Sequence, residues 1–568
     1  MFRPAMVLLS ALLWLSVSAG VARCETALCI NEFMAANAST IRNPQGGYDD
    51  WIELYNPADH PVNIAGMYLT DDLEVPCKWR IPAGDLAVTT VAAKGYLLIW
   101  ADGGAASGLH ADFALNSDGD VIALFDADGL TLLDSIEYDE QATDTSYGRL
   151  PDGTDEWFFM GFPSPGWAND RAYQGRVAGV RFSRKRGFYD DPFEVGITCE
   201  TPGATIYYTA NGTEPYSLSG GAPAGNVYHG PLLISRTTCL RARAVKSGWM
   251  SSEAITQTYI FLDDVLAQPA NPSGFPTTWK SFPADYRMDS RILDDPRYGG
   301  QLRNVLLSLP SMSLVMSTSD LFDAETGIYA NPANEGVAWE RPCSVELIYP
   351  DGREGFQINC GVRIQGGWFR PLNNAAKNSF RLLFKGLYGA SKLHYPLFGE
   401  DAATEYDTLT LRAGANDGYT WSGNERNAQF TRDQFARDLH QAAGHATPHG
   451  IFVHLYVNGL YWGLYNPVER PDASFSASYY GGRKEDWDVF SHKGFALHQG
   501  DRSALNLMLS LCQDAATSYE ALQLLQGKYP DGTVNPQYPN LLDLSNYIDY
   551  MIVNMWAGNW DWPWNNYW

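Results

Sequence analysis

Residues Cys343-Ser-Val-Glu-Leu-Ile-Tyr-Pro-Asp351-Gly352-Arg-Glu-Gly-Phe-Gln-Ile-Asn-Cys360 form two strand-like runs around a single Asp-Gly step. Asp-Gly is a strong signal for a two-residue hairpin turn, because both central positions of that turn need a positive φ. The register it implies puts Cys343 directly opposite Cys360. In an oxidising compartment the two can bridge; in a reducing one they are two core thiols. Cys199 and Cys239 make a second candidate pair.

Outward from this hairpin the pattern is mixed α and β. Gly361-Val-Arg363-Ile-Gln-Gly366-Gly367 leads to Lys377-Asn-Ser379-Phe-Arg381-Leu-Leu-Phe-Lys385. Phe435 and Leu439, four apart, mark a helix near Thr431–Leu439. Ile451–Tyr456 and Tyr461–Tyr465 read as a strand pair across Val457-Asn458-Gly459-Leu460. Asn546–Trp556 reads as a buried helix, and Asn559-Trp560-Asp561-Trp562-Pro563-Trp564-Asn565-Asn566 follows it.

Toward the N-terminus the chain turns all-β. Short apolar or alternating runs such as Trp51–Tyr55, Tyr96–Trp100 and Val121–Phe125 are separated by turn clusters, as in a β-sandwich. A second β unit covers 175–262, and 263–304, rich in Pro and Gly, reads as a linker packed on its neighbours. Asn116–Asp120 and Asp126–Gly129 carry carboxylates at alternate positions, but each lacks the Glu that closes a calcium loop, so both read as turns. Asn37-Ala-Ser39 and Asn211-Gly-Thr213 fit the N-glycosylation triplet. Arg3, the apolar run Met6–Val17 and Gly20-Val21-Ala22 predict a signal peptide over 1–22, hence a secreted or surface protein with no transmembrane segment after cleavage.

The bulk numbers agree. A chain of 568 residues is too long for one core. Its net charge of -25 argues against nucleic acid, whose phosphates it would repel. Aromatics at 13% and 53 glycines suit strands and tight turns rather than disorder.

Three families are resembled, in order. Ile30-Asn31-Glu32-Phe33, Asp50–Asn56 and Val62–Asp71 resemble the lamin-tail domain, which implies an immunoglobulin-like sandwich over 28–168. Ile206–Pro215, Tyr228–Ile234, Leu240–Val245 and Thr258–Phe261 resemble the small sandwich at the C-terminus of chitobiases, with cell-wall or glycan contact as one implication and a geometric spacer as the other. Residues 305–568 resemble the spore-coat kinase family CotH. The motifs are Trp339-Glu340-Arg341-Pro342, Gly361–Gly366, Lys377–Arg381 and Tyr395–Phe398. They continue with Asn458–Tyr465, Glu469-Arg470-Pro471 and Gly558–Pro563. The expected fold is two all-β immunoglobulin-like sandwiches followed by an α+β atypical protein-kinase-like domain.

The CotH resemblance implies phosphoryl transfer from Mg-ATP to hydroxyls of secreted or surface proteins. Such chemistry needs cations on the phosphates, an acid to orient the nucleophile and oxygen ligands for the metal. Asp561 with Asn566 five residues on has the spacing of a kinase catalytic loop: Asp561 as base, Asn566 as magnesium ligand, with Asn565 open as the alternative. Lys377 and Arg381 are the expected phosphate contacts, on one face by their four-residue spacing. Glu469 is expected to pair with Lys377 or to bind metal. The family carries a further metal-directed Asp beyond this run, and the sequence reaches only Trp568, so it is expected to hold an incomplete site. The rival reading is a non-catalytic surface or matrix protein that uses its sandwiches for glycan or protein contacts. A glycoside hydrolase ranks last, with no defensible carboxylate pair.

Overall fold

The computed structural model describes residues 28–104, 108–217, 222–419, 421, 428–491, 495–559 and 562. The region read as a signal peptide lies outside them, and no described helix is long and apolar enough to cross a membrane. The chain divides into two compact units, Met1–Gly175 and Arg176–Trp568.

The first unit is a β-sandwich. A six-stranded sheet and a four-stranded sheet close on Ile30, Phe33, Ile52, Leu54, Leu124 and their neighbours. Cys29–Met34 and Asp50–Tyr55 pair antiparallel, with Glu32 directly opposite Glu53. Both carboxylates are fully buried. They survive there because the chain folds donors over them. Ser146 and the amide and hydroxyl of Ser164 serve Glu32, the latter at 3.1 and 3.2 Å. The Gly166 amide serves Glu53 at 2.6 Å. Burial first, then mutual repulsion, pushes Glu53 up to about 8, and burial pushes Glu32 up to about 7. Groups raised above their unfolded values stabilise the fold most below those unfolded values and lose that contribution as pH rises through the folded ones. The unit is therefore expected to be more stable at pH 5 than at pH 8, with Glu53→Gln flattening the difference. Hydrogen exchange of 28–168 at the two pH values, corrected for intrinsic rates, checks this; equal protection would refute it.

The acidic turns are turns. The Asp128 carboxylate accepts from the Leu130 and Thr131 amides at 2.9 and 2.8 Å. Asn37 is buried, and its amide donates to the Ile41 and Asp49 carbonyls at 2.8 and 2.7 Å, which leaves it unavailable to a glycan.

The second unit joins a small sandwich to a closed barrel. The sandwich centres on a five-stranded sheet containing Thr205–Thr209, Thr238–Val245 and Ile255–Ile260. The barrel strands are β1 (Ser311–Val315), β2 (Arg341–Ile348), β3 (Gln357–Gln365), β4 (Ser379–Leu383), β5 (Thr408–Arg412), β6 (Val453–Val457) and β7 (Leu460–Glu469). They run in the order β1-β2-β3-β4-β5-β7-β6, and β6 closes on β1 in parallel. Alternate residues such as Val345, Leu347, Val362, Phe380 and Leu409 fill the interior.

The register of β2 and β3 is the one Asp351-Gly352 implies, with Cys343 opposite Cys360. The two-residue Asp-Gly turn itself does not form: the strands stop at Ile348 and resume at Gln357, the Gly352 amide donates to the Tyr349 carbonyl at 3.2 Å, and Gly352 has a positive φ while Asp351 does not, because Pro350 removes a ladder donor and takes a central place in the turn. Cys343 and Cys360 are free thiols, which corrects the bridged reading. Cys199 and Cys239 are free as well. They face different ways: Cys199 packs on the sandwich core, whereas the Cys239 thiol meets the Thr258 hydroxyl on the barrel side. The β6–β7 turn puts Asn458 at φ 49 and Gly459 at φ 81, both left-handed, as its Asn-Gly sequence requires.

The outer face of β1 and β2 is covered by the sandwich, so these strands are buried on both sides. Glu346 on β2 is fully buried; it accepts from the Thr258 amide at 3.1 Å and from the Thr258 hydroxyl, with Arg186 Nε at 3.5 Å. Ser313 on β1 meets the same hydroxyl at 2.9 Å. The segment 263–304 adds Trp279 and Tyr286 to the barrel core. The indole donates to the phenol oxygen at 2.9 Å, and one-turn helices flank them at Leu262–Leu266 and Ser290–Leu293.

Among the described residues five longer helices follow: α1 (Arg432–Ala442), α2 (Ala473–Tyr480), α3 (Ser503–Ala515), α4 (Tyr519–Leu525) and α5 (Leu544–Trp556). α5 forms where the pattern predicts a helix, but it has no buried residue. Ile548, Ile552, Met555 and Trp556 line one exposed side. The expectation of a buried helix is corrected: periodicity specifies an apolar face, not what covers it.

Candidate functional site

The barrel face on β3, β4, β5 and the end of β7 gathers charge. Strand alternation points Phe380 and Leu382 inward and leaves Arg381 on the outer side. Arg381 lies directly opposite Arg363 on β3. Like charges directly opposite on paired strands repel. Arg363 is compensated by Glu340, just ahead of β2, which also takes Lys385 at 2.8 and 3.0 Å; Arg363 Nε lies 2.6 Å from the same carboxylate. Burial alone would raise Glu340, but Lys385 and Arg363 hold it below the usual carboxylate range.

Arg381 is not compensated in the same way. Its Nε donates to the Thr408 hydroxyl at 3.1 Å, and among the described residues no carboxylate lies within ion-pair distance of it. Burial first, then the charge of Arg470, pushes it down to about 10, with Asp472 and Glu340 opposing the shift from a distance. Arg470 is lowered by burial too, with Asp472 opposing the shift. A shallow pocket opens beside them; its lining includes Thr408, Arg470 and Ser474, and also four carboxylates, Glu405, Asp407, Glu469 and Asp472. The Arg381 and Arg470 guanidiniums offer planar donors to an anion with several acceptor oxygens, whereas the carboxylates of the pocket would repel one. The phosphates of a nucleotide fit that description.

Lys377 lies outside this cluster. β4 begins only at Ser379, so the expected shared face does not extend to it. Its ammonium sits over the Trp462 ring at 3.8 Å and the Trp279 ring at 5.4 Å, and donates to the Asp285 carbonyl at 2.6 Å. Burial holds it down to about 8. It is a cation–π contact with the barrel core.

Glu469 also differs from expectation. It is buried at the end of β7 and does not pair with Lys377. Its Oε2 takes the His449 amide at 2.8 Å and lies 2.7 Å from His449 Nδ1; its Oε1 takes the Tyr479 hydroxyl at 2.8 Å. Both oxygens are thus engaged in tying β7 to the loop before β6 and to α2, which argues against a metal role. The partners His449 and Tyr479 gave no sequence signal, being 20 and 10 residues away. Arg363, Lys385 and Glu340 were within reach: each sits inside a quoted motif, and Arg363 and Lys385 alternate with apolar strand residues.

Asp561, Asn565 and Asn566 lie outside the described residues. Their flanks are described. The Asn559 amide donates to the Asn554 carbonyl at 3.0 Å, its side chain to Asn554 Oδ1 at 2.8 Å, and Trp562 N to the Asn559 carbonyl at 3.3 Å.

A closed barrel with Arg363, Arg381 and Arg470 on its outer face follows two β-sandwiches in the sequence. Comparison with known families agrees. The family described as CotH kinase protein matches residues 362–568, the chitobiase/β-hexosaminidase C-terminal domain matches 184–258, and the lamin tail domain matches 23–140. The CotH match begins within β3, so β1, β2 and Glu340 precede it. No curated protein is matched by the chain.

Proposed function

We propose that this protein is an exported atypical protein kinase that transfers a phosphoryl group from Mg-ATP to hydroxyls of secreted or surface proteins. The observation that carries the reading is the Arg363–Arg381 pair beside Arg470, within the CotH-matched region. ATP with magnesium supplies the transferable group. Arg381 and Arg470 hold its phosphates, which relieves the repulsion that the barrel otherwise bears. Thr408 fixes the plane of the Arg381 guanidinium. Glu340 holds Arg363 and Lys385 in place. Asp561 accepts the proton of the substrate hydroxyl and Asn566, or Asn565, reaches the metal. The small sandwich acts as a rigid buttress of the barrel, a role its buried contacts to Glu346 support.

The test is transfer of labelled phosphate from ATP to protein hydroxyls. Asp561→Ala is expected to lower the rate by at least about 10³-fold, the scale of losing a proton acceptor and nucleophile-orienting group together. Labelling by Asp561→Ala at the unmodified rate would rule the reading out.

A further inference from the structure

The helix that leads into the Asp561 run is held mainly from the side. None of its residues is fully buried, so apolar burial does little to set its rotation. Specific contacts do. His445, just after α1, places Nε2 at 2.8 Å from Asp549 Oδ2 on α5. The His440 ring on α1 lies 4.9 Å from the His445 ring and 6.1 Å from that of Tyr550. Phe435 on α1 meets Trp556 at 6.1 Å, one end of the helix further on.

From α5 the chain of contacts continues into the run. Tyr550 meets the Trp562 ring at 6.2 Å, edge to face. The Tyr550 carbonyl accepts from the Asn554 side chain at 2.8 Å, and Asn554 in turn accepts twice from Asn559. Asn559 and Trp562 stand on either side of Asp561 in sequence. Tyr550 therefore touches α1 through His440 and the run through Trp562, and Asp549 beside it makes the hydrogen bond to His445.

We propose that Asp549, His445 and Tyr550 are positioning residues for the transfer step: they clasp α5 to α1 and so fix Asn559 and Trp562, the described residues that flank Asp561 in sequence. The role in transfer rests on the kinase reading above; the clasp itself does not. Loss of the His445–Asp549 contact lets α5 rotate or slide, and a displacement of about 1 Å at a reacting group costs on the order of 10²-fold in rate. Binding of ATP, which the proposed phosphate contacts on the barrel carry, is left alone.

The experiment compares Asp549→Ala and Asp549→Glu in the whole chain, with hydrogen exchange of 544–562 and ATP-dependent labelling as paired readouts. Asp549→Ala is expected to speed exchange at the Asn559 and Trp562 amides about tenfold or more. It should also lower kcat roughly 10- to 100-fold at unchanged KM for ATP. Asp549→Glu, which keeps the charge, should recover part of both. Unchanged exchange at Asn559 and Trp562 overturns the clasp. An unchanged kcat in a protein where Asp561→Ala is inactive overturns its role in transfer. If Asp549→Ala unfolds α5 outright, His445→Ala, which removes the other partner of the contact, is read by the same criteria. If Asp561→Ala labels as well as the unmodified protein, the kinase reading falls while the exchange data still decide the clasp.

Discussion

Replacing Glu346 by alanine is expected to cost the second unit about 3–5 kcal/mol, the range for breaking a buried charge pair from one side. Glu346 is fully buried between β2 and the small sandwich. Burial holds its carboxyl above the usual range, and Arg186 and the two Thr258 donors oppose that shift. Alanine would leave Arg186 facing an empty acceptor site and strip the Thr258 amide of its partner inside a closed interface. Both losses act at the one surface that joins sandwich to barrel. Glu346→Gln, which keeps an acceptor for Thr258, should cost less than alanine. The measurement is a urea melt followed by the fluorescence of the barrel, whose core contains Trp279 and Trp462. An unshifted midpoint for Glu346→Ala would mean that the sandwich is merely adjacent. The same reasoning predicts that a chain lacking 176–260 folds poorly, since it would uncover Glu346 and Ile348 together.

Arg381→Ala should do the opposite to the fold and harm to the ligand. A charge-assisted hydrogen bond contributes roughly 1.5–3 kcal/mol, so ATP affinity should fall about 10- to 100-fold. The fold should not suffer. Arg381 stands directly opposite Arg363, and its removal relieves a cross-strand repulsion of about 0.2–1 kcal/mol. Arg381→Lys should restore only part of the affinity, because an ammonium cannot offer the planar fork. Calorimetric titration with Mg-ATP and a thermal melt on the same samples separate the two effects. Unchanged affinity would remove Arg381 from the phosphate site. A marked loss of stability would make it a structural residue instead. Lys377 serves as the contrast: it sits over Trp462 rather than beside Arg381, so Lys377→Met should perturb the barrel melt more than the ATP affinity.

The two sets of expectations fared differently for one reason, which is the range over which each is encoded. The β2–β3 register follows from Asp351-Gly352 and the β6–β7 turn from Asn458-Gly459, each within a few residues. α1 and α5 follow from apolar spacing along a single helix. The motifs of the lamin-tail, chitobiase-like and CotH regions are likewise strings of near neighbours, and the order of the three families was legible from them.

Partners were not legible. Residue type and charge leave Glu469 open to pairing with Lys377 or to binding metal, yet Glu469 meets His449 and Tyr479, and Lys377 meets rings contributed by residues 279 and 462. Arg363 lies within a motif, and only its register against Arg381 reveals that two like charges face each other there. The burial of Glu346 depends on Thr258, which lies 88 residues earlier on another fold. By itself, then, the sequence determined the elements, their turns and the families they resemble, because hydrophobic period and turn chemistry act locally. Which charges meet, which stay uncompensated and which helix face stays open were decided only when barrel closure and the docked sandwich brought distant strands together, since a side chain's partner is set by neighbours in space that local pattern does not record.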